Sequence, residues 1–335
     1  MKIMRGRCSG MCGLSRFLQW RLNPILTRFL PRRFGRIYIS LLGRFYYFFR
    51  REEEQQIKRN ISAVIRRLPT KEPVDIVIRR TFDGIFAHYY EKLFIAYVNF
   101  GKVCRFLRRR VIVEGRQLLD EALAEGRGVI LVTGHFGAVE FLPLTLALLG
   151  YEVTMVVRFK TERLKRALIH RSQNVPITLL DANEAERVLF SAFQALKSNQ
   201  ILITECDEFK AWRPHRRRRT RFLGCFCPLD RTLDLLQRRY NSPVIMGFVQ
   251  RNRGNTFGLK LHSLNGVDQI RAGTKTGQRA LQVLEQYIYS APDQWYQWKQ
   301  ARIVLGTKIF EETRPIHAVE ADPPLPLAES AMHAY

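Results

Sequence analysis

A strand-like run, a histidine, two glycines and a carboxylate stand together in one block, Thr133-Gly134-His135-Phe136-Gly137-Ala138-Val139-Glu140. The apolar, β-branched run at 129–133 predicts a buried strand. Gly134 and Gly137 punctuate a turn, and 138–149 predicts a helix stopped by Gly150. This puts an imidazole at the carboxyl end of a strand, where open α/β sheets place their ligands. It also puts Glu140 near enough to orient one ring nitrogen. A histidine held in one tautomer by a carboxylate is a competent general base near neutral pH. His135 and Glu140 are therefore the candidate catalytic pair. By itself the spacing is weak, because a lone histidine after a strand is more often structural than catalytic.

The elements around the block alternate. Strands are predicted at 111–114, 152–157, 200–204, 244–250 and 257–264, with helices at 117–125, 161–172, 183–197, 229–239 and 276–289. The pattern predicts an α/β fold: a mixed, mostly parallel central sheet flanked by helices. Upstream, 52–68 and 72–100 read as helices. The aromatics of the second, Phe82 to Phe100, form a stripe of the kind that usually packs into a core.

Residues 14–50 are rich in Leu, Phe, Tyr and Arg, and Ile37, Leu41, Phe45, Phe48 and Phe49 recur at helical spacing. Two readings stand level: a helix lying in a bilayer interface with Arg32, Arg33, Arg36, Arg50 and Arg51 near lipid phosphates, or an amphipathic helix packed on its own domain. No run reaches the length of a spanning helix, and no clear signal peptide precedes it. The expected division is 1–51 as an N-terminal helical membrane-associating segment, 52–310 as the catalytic domain and 311–335, rich in proline, as a disordered tail.

The chain has 335 residues, with 55 Lys and Arg against 30 Asp and Glu, a formal charge of +25. Such a field suits nucleic acid, an anionic lipid surface or an acidic protein. No nucleic-acid-binding module is recognisable, so no nucleic acid partner is expected. The six cysteines form no disulfide framework and read as free thiols. Cys225 and Cys227 beside His215 match a zinc site poorly, so no metal is expected. Cys206 reads as a buried strand cysteine rather than a nucleophile.

The His135 block resembles the His-Phe-Gly-Asn-Trp-Glu signature of the bacterial lipid A biosynthesis (lauroyl/myristoyl) acyltransferases, with Ala138 and Val139 in place of Asn and Trp. The resemblance continues in order from about residue 25 to 300. It takes in Leu42-Gly43-Arg44, Arg59-Asn60, Val156-Val157-Arg158 and Thr204-Glu205-Cys206-Asp207-Glu208, where Asp207 matches and Glu208 departs. Phe222-Leu223-Gly224, the run from Pro243 to Val249, and Pro292-Asp293-Gln294-Trp295-Tyr296-Gln297-Trp298 complete it.

The resemblance implies a glycerolipid-acyltransferase-like fold and an O-acyltransferase at the cytoplasmic face of the bacterial inner membrane. It implies direct transfer of a fatty acyl chain from acyl-carrier-protein, as co-substrate, to a hydroxyl of a lipid A precursor, with no bound cofactor. His135 would take the hydroxyl proton and Glu140 would stabilise the imidazolium. Arg158 or backbone amides near Gly134 and Gly137 are the oxyanion candidates, and Arg158 equally suits a lipid phosphate. Asp207 would position Arg158 or the acceptor. The run Arg216-Arg217-Arg218-Arg219 would receive the carrier protein or lipid phosphates. The rival readings are another glycolipid or phospholipid acceptor and, in a different class, a basic nucleic-acid-binding protein.

Overall fold

The computed structural model describes residues 13–66, 72–208, 214–264, 275–299 and 301. Six helices precede the sheet: α1 (Leu14–Leu18), α2 (Leu22–Phe29), α3 (Arg32–Phe49), α4 (Arg51–Ile65), α5 (Val74–Tyr97) and α6 (Phe100–Arg110). Then come β1 (Val111–Glu114), α7 (Arg116–Ala124), β2 (Val129–Thr133), α8 (Leu142–Leu148), β3 (Val153–Val157), α9 (Glu162–Ser172), β4 (Ile177–Asp181), α10 (Ala185–Lys197) and β5 (Ile201–Glu205). A hairpin, β6 (Pro214–Phe222) and β7 (Cys225–Asp230), leads to α11 (Thr232–Tyr240), β8 (Val244–Arg251), β9 (Phe257–Ser263) and α12 (Thr276–Ser290).

Seven strands form one sheet in the order β1-β9-β8-β2-β5-β3-β4, all neighbours parallel except β8 and β9. The expected mixed, mostly parallel sheet is present. β2 is buried along its whole length, as a parallel strand covered on both faces must be. Its neighbour β5 runs in a register that pairs Thr133 with Glu205. The chains leaving these two strands therefore emerge side by side at the carboxyl edge of the sheet, one carrying His135 and the other Asp207.

The helix expected over 138–149 is split. Val139–Phe141 is a 3-10 turn, and the α-helix begins at Leu142 with Pro143 in its first turn. Proline has no N–H to give to a preceding turn, so the α ladder cannot extend back through it. Residues 14–50 form three helices rather than one. α6 and β4 also went unread in the sequence.

α3 closes tightly on α5. A Cβ at Gly35 would sit 2.7 Å from the Tyr90 ring, and one at Gly43 would sit 2.3 Å from the Phe86 ring. Ile39, Tyr46 and Tyr47 complete the buried face of α3 and join the same core as the sheet. Its opposite face leaves Phe34, Ile37, Leu41, Phe45, Phe48 and Phe49 exposed. One apolar face of α3 is thus buried on the domain, as the packed-helix reading expects, and a second is uncovered. Among the described residues no helix is long and apolar enough to cross a membrane. Arg32 departs from its expected place, because its guanidinium carbon lies 4.0 Å from the centre of the Phe106 ring. The tail at 311–335 lies outside the described residues.

Candidate active site

His135 stands at the carboxyl edge between β2 and β5, on the wall of a cavity of about 810 Å³. Its Nδ1 is 2.9 Å from Oδ1 of Asp207. The same carboxylate accepts the backbone N–H of His135 and, at 2.8 Å, the indole N–H of Trp295. Asp207 and Trp295 are both fully buried in this arrangement. On the other side of the ring, Nε2 lies 3.2 Å from Glu208 and 3.5 Å from Glu205, both of which face the cavity.

The charges act on one another. Burial pushes His135 towards the neutral form, but the carboxylates of Glu205 and Asp207, with hydrogen bonds to Asp207 and Glu208, override it and hold the ring's pKa well above the usual value. Burial lifts Glu205 to about 7, against the pull of His135 and with the help of Asp207 and Glu208. Burial also opposes ionisation of Asp207, yet the His135 charge and the hydrogen bonds it receives keep its pKa low. The ring is therefore held towards its protonated form and Asp207 towards its ionised form.

This corrects the expected pairing. Glu140 does not orient His135. Its carboxylate lies 2.9 Å from Lys92 Nζ and 3.8 Å from His88 Nε2. The reason is the 3-10 turn: residues 139–141 wind tightly after Gly137 and deliver Glu140 towards α5. His88 stacks on Tyr296, whose ring meets His135 edge-on at 5.1 Å. Glu140 and His135 thus line one cavity without sharing a bond. Asp207, expected to position Arg158 or the acceptor, instead holds the histidine.

Both glycines are required by close packing. Gly137 has φ +58, and a Cβ there would lie 1.9 Å from the Val249 carbonyl oxygen, so only glycine fits. Its N–H is spent on the Gln294 carbonyl, and the N–H groups of His135, Phe136 and Ala138 are likewise engaged. A Cβ at Gly134 would sit 2.8 Å from Leu284 of α12. The Gly137 amide, offered as an oxyanion donor from the sequence, is therefore not free. Arg158 is better placed: it lines the cavity, lowers the pKa of Glu208, and its Nε is buried without a hydrogen-bond partner. Lys92 lines the same cavity.

A strap from the C-terminal side fixes the turn. Besides the Gly137 to Gln294 bond, the Tyr296 N–H donates to the His135 carbonyl, and Phe136 bridges to Trp295. Gln294 pairs with both backbone groups of Arg251, and Arg251 makes a two-pronged ion pair with buried Glu91 of α5 at 2.8 and 2.7 Å. Asn60 of α4 donates to the Trp298 carbonyl.

The cavity walls beyond the histidine are largely apolar, with Ile57, Ile85, Leu144, Met155, Leu164 and Leu168 among them. His135, Glu205 and Glu208 present ligand atoms within 4.8 Å of one another, a set that could hold a divalent cation. Cys206 is buried, as expected, and Cys225 and Cys227 are buried in β7. Arg216 to Arg219 belong to β6, with the Arg219 side chain exposed; the side chains of Arg216, Arg217 and Arg218 lie outside the described residues.

Glu205, Lys92, His88 and Tyr296 carry no role in the sequence reading; Glu208 figures there only as a departure that changes the site's charge, and Trp295 only as an aromatic at the bilayer interface, at the site or in the core. A signal for Glu205 and Glu208 was present: three acids in four positions, Glu205 to Glu208, at the end of a buried strand.

An α/β sheet that holds a carboxylate-braced histidine on the wall of a cavity with both charged and apolar lining defines a class of sites suited to proton transfer beside a partly apolar ligand. Within that class the chain belongs to the bacterial lipid A biosynthesis acyltransferase family, whose pattern it matches across residues 14–302. No curated protein matches the chain at significant similarity. Membership makes it an acyltransferase of the lipid A type in general.

Proposed function

We propose that the protein transfers a fatty acyl chain from an acyl-carrier-protein thioester to a hydroxyl of a lipid A precursor, with His135 as general base. The observation that carries this is the His135–Asp207 pair facing a cavity of about 810 Å³ with apolar walls. The acyl chain lies along those walls. The acceptor hydroxyl takes the position of Glu208 at Nε2. Oxygen attacks the thioester carbonyl while Nε2 takes the hydroxyl proton. Arg158 and Lys92 are the cations that meet the oxyanion. The intermediate collapses, the thiolate leaves and takes the proton back from the imidazolium, and an ester and a free thiol remain. No acyl-enzyme forms. Asp207 fixes the ring with Nε2 as the accepting nitrogen and stabilises the imidazolium, help worth about 10² to 10⁴ in rate.

The uncovered apolar faces of α2 and α3, with Phe29, Phe34 and Phe49 exposed among many arginines and Trp20 exposed in the turn before α2, support interfacial binding at the cytoplasmic face of the inner membrane. The expected run at Arg216 to Arg219 remains the candidate for the acidic carrier.

The test is incubation of purified protein with acyl-carrier-protein thioesters and phosphorylated glycolipid acceptors, with products read by mass spectrometry. The expected product is a glycolipid heavier by one acyl chain, lost in His135→Ala. Acyl transfer that persists in that variant removes the proposed base, and acylation of a different lipid class alone transfers the reading to that acceptor.

A further inference from the structure

A second cavity, of about 700 Å³, opens between α2, the junction of α5 and α6, and α9. It is lined by Arg21, just before α2, by Arg28 of α2, and by Arg163, His170 and Arg171 from α9. No carboxylate lines it, and none of the five basic groups makes an ion pair among the described residues. Arg171 is anchored from behind: its Nε and one terminal nitrogen donate to the carbonyls of Ala96 and Val98, while Nη1 is buried without a partner. The Tyr97 hydroxyl on the same wall is also buried and unpartnered. Burial lowers the pKa of Arg171, Cys104 raises it and the charge of Arg28 lowers it again, so Arg28 and Arg171 stand close enough for their charges to repel.

Buried donors without acceptors cost free energy, and guanidinium groups pair with phosphate in a two-pronged fashion. We infer that this basic cavity is a binding site for a phosphate monoester, separate from the His135 carboxylate cluster. Near pH 7 such a group carries close to two negative charges and offers three acceptor oxygens. Ile25, on the cavity rim, is exposed on the same helix as Leu22 and Phe29, so a phosphate attached to an apolar body would find an apolar surface beside it. The site borders the larger cavity, with which it shares Phe100 and Arg171. The inference concerns binding and stands whether or not acyl transfer is the reaction.

The test uses full-length protein, at one fixed ionic strength, against two probes: phosphatidylcholine vesicles containing phosphatidate, and inorganic phosphate. Three variants are compared with the unaltered chain. Arg28→Gln with Arg163→Gln removes two cavity charges. Arg108→Gln with Arg109→Gln removes two exposed charges from the end of α6, away from the cavity. Ala167→Phe fills the cavity and leaves every charge in place.

The expected result is at least a tenfold loss of phosphatidate-vesicle affinity in the first and third variants, with less than threefold loss in the second. A parallel loss for inorganic phosphate identifies the site as one for the free anion as well; a loss confined to vesicles identifies a lipid headgroup as the source. Equal loss in both charge variants, or full binding by the filled variant, overturns the inference in favour of diffuse surface attraction. Melting temperatures within a few degrees of the unaltered chain establish that each variant is folded.

Discussion

Replacing Asp207 by Asn tests the orientation of His135 directly. The carboxylate accepts the Trp295 indole N–H and the His135 backbone N–H mainly through Oδ2, and it meets Nδ1 through Oδ1. An amide has one oxygen and one NH₂. Turned one way, its NH₂ faces two N–H donors, which leaves buried groups unsatisfied at about 1–3 kcal/mol each. Turned the other way, the oxygen keeps both donors and the NH₂ points at Nδ1. That second arrangement wins, and it forces the neutral ring to carry its proton on Nε2. The nitrogen facing the cavity then cannot accept a proton.

The lost charge adds to this. With charge centres about 4 Å apart and an effective dielectric constant near 20, the attraction is about 4 kcal/mol. At about 1.4 kcal/mol per tenfold this is close to a thousandfold for a fully formed imidazolium, and less for a partial one. The expected fall in kcat is about 10² to 10³, with KM for the thioester within threefold. The assay is initial-rate acyl transfer on the alkaline plateau, where the resting ring is neutral in the parent enzyme and the comparison is not confused by its protonation. A folded Asp207→Asn protein that keeps more than a tenth of kcat refutes the reasoning.

Three further outcomes follow from the same geometry. His135 must be neutral to act and its pKa in the free enzyme is raised, so kcat/KM should rise with pH through that pKa; Glu208→Gln removes a raising contact and should shift the rising limb to lower pH, a shift that a pH profile of kcat/KM reads and whose absence counts against the 3.2 Å contact mattering. Glu140 pairs with Lys92, so the rate losses of Lys92→Met and Glu140→Gln should be far from additive, the double variant resembling Lys92→Met alone; additive losses in steady-state kinetics would separate the two residues. Glu91→Gln leaves the Arg251 guanidinium buried beside a neutral partner and should cost about 3–5 kcal/mol in urea unfolding, whereas Glu91→Met with Arg251→Met should recover most of it; a loss under 1 kcal/mol for the single change sinks the claim that this pair holds the strap.

The sheet was legible because parallel buried strands such as 129–133 and 244–250 are apolar along their length and are separated by helical periodicity. β4 escaped because Pro176 stands at its start and its pattern of Ile177-Thr178-Leu179-Leu180 is short and only half-buried. The histidine was legible from its place after a strand. Its true partner was not, because 72 residues separate His135 from Asp207 and only the β2–β5 register brings them together. Sequence proximity instead favoured Glu140, five positions away, and a proline-shortened helix then turned that residue towards α5. Trp295 was invisible as a hydrogen-bond donor for the same reason: its partner is chosen by a chain crossing, which no local periodicity encodes.

The strap that begins at Pro292 bears on how the protein comes into being on the ribosome. Domains take shape from the amino end as the polypeptide emerges, at about 5–20 residues per second. β2 and β5 can pair, and His135 and Asp207 can meet, while the last part of the domain is still unmade. Yet the indole that locks the aspartate, the carbonyl that holds Gly137 in its left-handed turn and the amide that grips the His135 carbonyl all arrive with residues 294–296. A nascent chain lacking them would carry the whole proton-transfer pair and still be unable to keep it in place, so competence is acquired only once residues 294–296 have emerged.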